Sequence, residues 1–150
     1  MFRLALCLAL SMSTLPAQIN KPVNITPPEP LVAKAGATVD QTLNLSVREG
    51  FHVNSDKPKD EYIIPIKLTW TGGPLETRQV TYPKAEEIKV GDQQLTVFSG
   101  SFLIKTQFHV ADGAPKGTVT VNGKLRYQAC NSEMCLRPIT VDIPLTVTIE

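Results

Sequence analysis

The chain has 150 residues, 42% hydrophobic and 6% aromatic, with 15 Lys and Arg against 14 Asp and Glu. A net charge of +1 with no basic stripe argues against a nucleic-acid partner. The length allows one domain with a real hydrophobic core.

The first residues read as an export signal. Met1-Phe2-Arg3 is a short basic start, residues 4–10 are apolar, and residues 11–17 supply small side chains, with Leu15-Pro16-Ala17 a cleavage site before Gln18. The apolar run is too short to span a bilayer as a helix, so this is a secretory pattern and not a membrane anchor. Removing residues 1–17 takes Arg3 with them and leaves 133 residues with balanced charge. No later apolar run reaches membrane-spanning length, so no stable membrane insertion is expected after signal removal. The expected location is periplasmic or secreted, where paired cysteines persist.

Residues 18–30 are rich in proline and read as an extended leader or edge segment. The remainder, residues 31–150, reads as one β domain. Apolar side chains alternate in residues 38–48, 63–70, 101–110, 118–129 and 139–149, which places one face of each strand on a core. Turn signals separate the runs at Gly72-Gly73-Pro74, Val90-Gly91-Asp92 and Asp112-Gly113. Asn122-Gly123 falls inside a run and predicts a β-bulge. Pro65 and Pro144 predict edge positions for their strands, because proline cannot donate to a ladder. No segment holds an amphipathic helix of ten residues. Short strands with frequent turns predict an all-β, immunoglobulin-like sandwich with a cysteine-bearing hairpin.

Cys7 lies in the signal segment, so the mature chain keeps two cysteines, Cys130 and Cys135. Four residues separate them, between one strand and the next. Residues flanking a four-residue hairpin loop face one another. At a non-hydrogen-bonded position their Cα atoms stand about 4.5–5.5 Å apart, which a disulfide accepts. Three readings stay open from spacing alone. The pair is a structural staple, a redox pair, or part of a metal site with His52, His109 and Met134. His109 alternates with core-facing Phe108 and Val110 and is expected to point outward, so no metal and no cofactor is expected.

Tyr127-Gln128-Ala129-Cys130, four residues, then Cys135-Leu136-Arg137-Pro138 resembles the active-site hairpin of the N-terminal domain of the DsbD thiol:disulfide interchange proteins. Other stretches fit in the same order: Gly50-Phe51-His52-Val53-Asn54-Ser55, Lys57-Pro58, Asp60-Glu61-Tyr62-Ile63-Ile64-Pro65, Tyr82-Pro83-Lys84 and Val97-Phe98-Ser99-Gly100. The resemblance implies an immunoglobulin-like fold and a thiol–disulfide exchange module, a protein-disulfide reductase type of activity. Cys130 and Cys135 would form the reversible disulfide, with Cys135 attacking and Cys130 resolving. Phe98 would be the ring of a cap loop over the disulfide. Its rival readings are a loop aromatic or a core edge.

The family's lining tyrosines are replaced here by His52 and Asn54, which join Tyr127 in the expected lining. His52 is a candidate general base or hydrogen-bonding group, against a plain polar surface residue. Thr96 and Val97 stand where the best-known members carry acids. The implied partners are thioredoxin-like periplasmic proteins. With no membrane domain and no thioredoxin-like Cys-x-x-Cys in the sequence, a separate membrane electron donor is expected. The competing function is a non-catalytic binding or structural sandwich with a permanent hairpin disulfide.

Overall fold

A computed structural model describes residues 21–150, and the expected signal segment lies outside them. The described residues form twelve strands and no helix: β1 (Val23–Ile25), β2 (Leu31–Ala33), β3 (Thr38–Val47), β4 (His52–Asn54), β5 (Lys67–Thr71), β6 (Leu75–Thr81), β7 (Glu86–Val90), β8 (Gln93–Phe98), β9 (Ser101–Val110), β10 (Gly117–Tyr127), β11 (Ala129–Cys130) and β12 (Ile139–Ile149). Among these residues, no helix is long and apolar enough to cross a membrane.

Two four-stranded sheets make the sandwich, in the orders β1-β3-β9-β6 and β2-β12-β10-β5. Alternation does what it predicts. In β9 the buried residues are Phe102, Ile104, Thr106, Phe108 and Val110, and in β12 they are Ile143, Leu145, Val147 and Ile149. The inner faces fuse into two clusters, one around Leu43, Ile104, Leu125 and Tyr127 and one around Phe108, Val121, Leu145 and Val147. Each fully buried aliphatic or aromatic side chain contributes about 1.5–3 kcal/mol through removal from water. Trp70 packs against both clusters. Its ring meets Phe108 edge-on at 5.4 Å. Its Nε1–H donates to the otherwise buried Thr106 hydroxyl at 3.0 Å, so that polar atom is satisfied inside the core.

Three sequence expectations are corrected. The Asn122-Gly123 bulge is absent: β10 pairs with β12 in unbroken register from Gly117 to Tyr127. Glycine is needed at 123 for another reason, since a Cβ there would lie 2.7 Å from the Trp70 ring. The expected strand over residues 63–70 begins only at Lys67. Before it, the Ile64 carbonyl accepts from Asn54 Nδ2 (3.1 Å) and the Ile66 N–H donates to Ser55 O (3.3 Å), which commits this backbone to a loop. Pro65 therefore precedes the edge strand β5 and is not part of it. Pro144 sits where expected, because β2 pairs with β12 only at residues 147–149 and leaves that flank open at 144. The proline-rich segment crosses this edge, with β1 on one sheet, β2 on the other, and Pro27 and Pro28 beside Pro144.

A third sheet, β11-β4-β8-β7, extends one end of the sandwich. It is built from continuations of the long strands. β3 leads through a turn into β4, and β10 passes at Gln128 into β11. β8 turns at Ser99-Gly100 into β9, with Gly100 at φ +58°, a left-handed conformation that glycine adopts without cost. The cysteines lie on this third sheet.

Candidate functional site

Cys130 ends β11 and Cys135 faces it across an antiparallel bridge. The Leu136 N–H donates to Ala129 O at 2.8 Å and the Asn131 N–H donates to Met134 O at 2.9 Å. Cys130 and Cys135 therefore occupy the non-hydrogen-bonded position between two bonded pairs, where the strands approach closest. Their Cα atoms are 4.0 Å apart and their sulfurs are joined in a disulfide. The local sequence explains the hairpin. Asn131 Oδ1 accepts from the N–H groups of Glu133 (2.9 Å) and Met134 (2.8 Å), an Asx turn that closes the loop tip. Gln128 Nε2 donates to Leu136 O at 3.0 Å and ties the returning strand to the incoming one.

The two cysteines differ in environment. Cys130 is 2% exposed, whereas Cys135 is exposed, together with its neighbours Met134 and Leu136. Alternation from Leu125, Tyr127 and Ala129 assigns Cys130 to the outer face of its strand. The structure covers that face.

His52 is the cross-strand partner of Cys130. Its side chain is 7% exposed, and its Nε2 is buried with no hydrogen-bond partner. Burial holds its imidazole below the ordinary histidine value, which favours the neutral ring. Asn54 lies two residues further along β4, on the same face, and its bond to Ile64 O pins the 55–66 loop over that face. The Ser55 and Thr96 hydroxyls, 2.8 Å apart, fasten the same loop to β8. Thr96 is thus a loop anchor and Val97 is fully buried.

Phe98 lies on the other side of the third sheet, and Tyr127 ends β10 in the second sheet. Phe98 pairs with Val53, which pairs with Ala129, and all three belong to the core. Adjacent strand residues point to opposite faces, so the Phe98 ring leaves the sheet away from the face that carries Cys130. It is 2% exposed, stacked with Tyr82 at 6.4 Å and against Phe102 at 5.0 Å. Tyr127 shares the core face with Ala129; its hydroxyl is buried without a partner, and burial pushes its pKa up. The structure thus gathers Cys130, Cys135 and His52, adds Asn54 as a loop anchor, and assigns Phe98 and Tyr127 to the core beneath. His109 stands near the far end of β9, 3.6 Å from Asp112, so it cannot join the cysteines. Among the described residues, no three His, Cys, Asp or Glu side chains gather to hold a metal.

A family model described as "Thiol:disulfide interchange protein DsbD, N-terminal" matches residues 22–146. Among solved structures, the N-terminal periplasmic domain of ScsB from Proteus mirabilis aligns with a TM-score of 0.62 at 14% identity, over 89% of this chain and 49% of that one. The N-terminal domain of DsbD from Neisseria meningitidis, in its reduced form, aligns with a TM-score of 0.52 at 17% identity, over 76% of this chain and 82% of that one. The chain spans about half the length of the ScsB structure. Comparison with curated proteins gives no match.

Proposed function

From the premise that this chain belongs to the family of N-terminal domains of the DsbD thiol:disulfide interchange proteins, we propose that it passes electrons between partner proteins through a reversible Cys130–Cys135 disulfide. The observation that carries the proposal is the asymmetry of the pair. An exposed Cys135 is bridged to a buried Cys130 at the tip of a short hairpin. Exchange proceeds by attack of a thiolate on one accessible sulfur, so the two sulfurs should take different roles.

In the reducing half-reaction a donor's thiolate attacks Cys135 Sγ. The intramolecular S–S bond breaks, a mixed disulfide forms at Cys135, and Cys130 leaves as the thiolate. The donor's second thiol then attacks its own sulfur in the mixed disulfide, so the donor departs oxidised and the domain holds two thiols. In the oxidising half-reaction the Cys135 thiolate attacks an acceptor's disulfide. Cys130 then attacks Cys135 Sγ, reforms the internal disulfide and releases the acceptor with both of its sulfurs reduced. Two electrons move in each half-reaction and no cofactor is required.

The partners we propose are thioredoxin-like periplasmic proteins, with a membrane-embedded donor outside this chain supplying electrons. Met134 and Leu136, the chain neighbours of Cys135, are exposed apolar side chains that a partner presenting its own cysteine could cover. Residues 1–17 are proposed as the signal that delivers the domain to the periplasm. The reduced form of the Neisseria DsbD domain supports reversibility, because a pair in that family exists with its disulfide open.

The test is the reduction potential, measured by equilibrating the protein in glutathione buffers and counting free thiols. A value between about −270 and −180 mV matches exchange proteins. A value well below about −300 mV is that of a permanent staple and would sink the proposal.

A further inference from the structure

The exchange chemistry leaves one difficulty, and the third sheet holds a group that answers it. Only a thiolate is nucleophilic, and burial in apolar surroundings raises a thiol's pKa. An ordinary thiol, with a pKa of about 8.5, is largely protonated at neutral pH, and Cys130 is buried. Yet Cys130 must attack Cys135 to release an acceptor. It needs a base, and water has poor access to it.

His52 occupies the position of such a base. It is the residue directly across the strands from Cys130, and facing residues have Cβ atoms about 4.5–5.5 Å apart with side chains on one face. Its Nε2 is a polar atom buried without a partner in the oxidised protein. Buried polar groups are nearly always paired, and an orphan calls for a reason. Reduction of the disulfide creates the missing partner, since the Cys130 thiol supplies a hydrogen-bond donor that the disulfide lacks.

We propose that His52 is the base of the resolving step, its Nε2 taking the proton of the Cys130 thiol as that sulfur attacks Cys135. The proposal rests on the exchange reading above. The step balances. The proton moves from Cys130 Sγ to Nε2, and a bond forms between Cys130 Sγ and Cys135 Sγ. The bond between Cys135 Sγ and the acceptor's sulfur breaks, and the acceptor leaves as a thiolate that takes the proton from the imidazolium. The lowered pKa of His52 suits both halves, because the ring is free to accept at pH 7 and gives the proton up readily. The strands paired to β4 carry no charged side chain. The ionisable groups nearest along the chain are Arg48 and Glu49 before β4, Asp56 and Lys57 after it, Glu133 in the hairpin loop and Arg137 after it. Burial is the cause that lowers the His52 pKa.

The test mixes reduced protein with oxidised glutathione and follows the second, concentration-independent release of glutathione, in which Cys130 resolves the Cys135 adduct. In the wild type this rate should be flat from pH 6.5 to 8. In His52→Gln and His52→Phe it should climb about tenfold per pH unit and be about 100-fold slower at pH 7, the low end of general-base effects. A variant rate within about threefold of wild type, with the same pH profile, overturns the proposal and leaves the exchange reading standing. A reduced wild-type protein that neither forms nor resolves the adduct overturns the exchange reading, and this inference with it. Should both variants fail to fold, the ¹⁵N resonance of His52 Nε2 in the wild type decides. It should move on reduction of the disulfide, and an unmoved resonance overturns the proposal.

Discussion

Replacing Asn131 by Ala should make the Cys130–Cys135 disulfide easier to reduce. Asn131 Oδ1 accepts two backbone N–H groups, from Glu133 at 2.9 Å and Met134 at 2.8 Å. These bonds hold the loop tip closed and keep the two cysteines opposed once the disulfide is open. Without them the reduced loop samples open conformations, and Cys130 meets Cys135 less often. A net hydrogen bond contributes about 0.5–1.5 kcal/mol, and these two are solvent-exposed, so together they favour closure by about 1 kcal/mol. At about 30 mV per 1.4 kcal/mol, that makes the potential about 20 mV less negative. The assay is equilibration of wild type and Asn131→Ala side by side in glutathione buffers, with free thiols counted by alkylation. A shift below about 5 mV, or one toward more negative values, would refute the reasoning, because the Asx turn would then not help to close the disulfide.

Phe98→Ala should behave as a core truncation and cost about 3–5 kcal/mol of stability in chemical denaturation, since the ring is buried against Tyr82 and Phe102. An unchanged stability with faster reduction of the disulfide would instead identify a cap. Gly123→Ala should cost about 1–3 kcal/mol through overpacking, read as a lowered Tm. The Trp70 ring that a Cβ would strike at 2.7 Å is held by its bond to Thr106 and cannot easily withdraw. His52 is held below its unfolded pKa of 6.5, so the unfolded chain binds more protons below that pH. Stability should therefore be level above about pH 6.5 and fall as pH drops from there toward the folded pKa. Denaturation at pH 7.5 and 5.5 should show this fall in the wild type and a smaller one in His52→Gln.

The long strands were legible because their patterning is local. A run such as Ile139, Val141, Ile143, Leu145, Val147 and Ile149 can bury one face only as a strand, and β12 spans that whole run. The hairpin was legible for the same reason, since four residues between facing positions leave few ways to connect them. The resemblance to the DsbD N-terminal domains was legible in ordered motifs from Gly50 to Pro138, and the family match over residues 22–146 bears it out.

The rest depended on contacts distant in sequence. Gly123 read as a bulge because glycine inside a strand has two common causes, and only the approach of Trp70, 53 positions earlier, selects between them. Residues 63–66 alternate like a strand, but Asn54 and Ser55 capture their backbone for a loop.

The sequence by itself determined the fold class through periodicity, marked the hairpin cysteine pair through spacing, and pointed to the family through the ordered motifs that resemble it. The tertiary structure decided which sulfur is open to a partner and which residues stand behind the other. Alternation assigns Cys130 outward, but strands from three parts of the chain converge in the third sheet, bury that sulfur, and set the unpartnered His52 across from it. Burial depends on what packs over a residue, and a one-dimensional pattern does not carry that information.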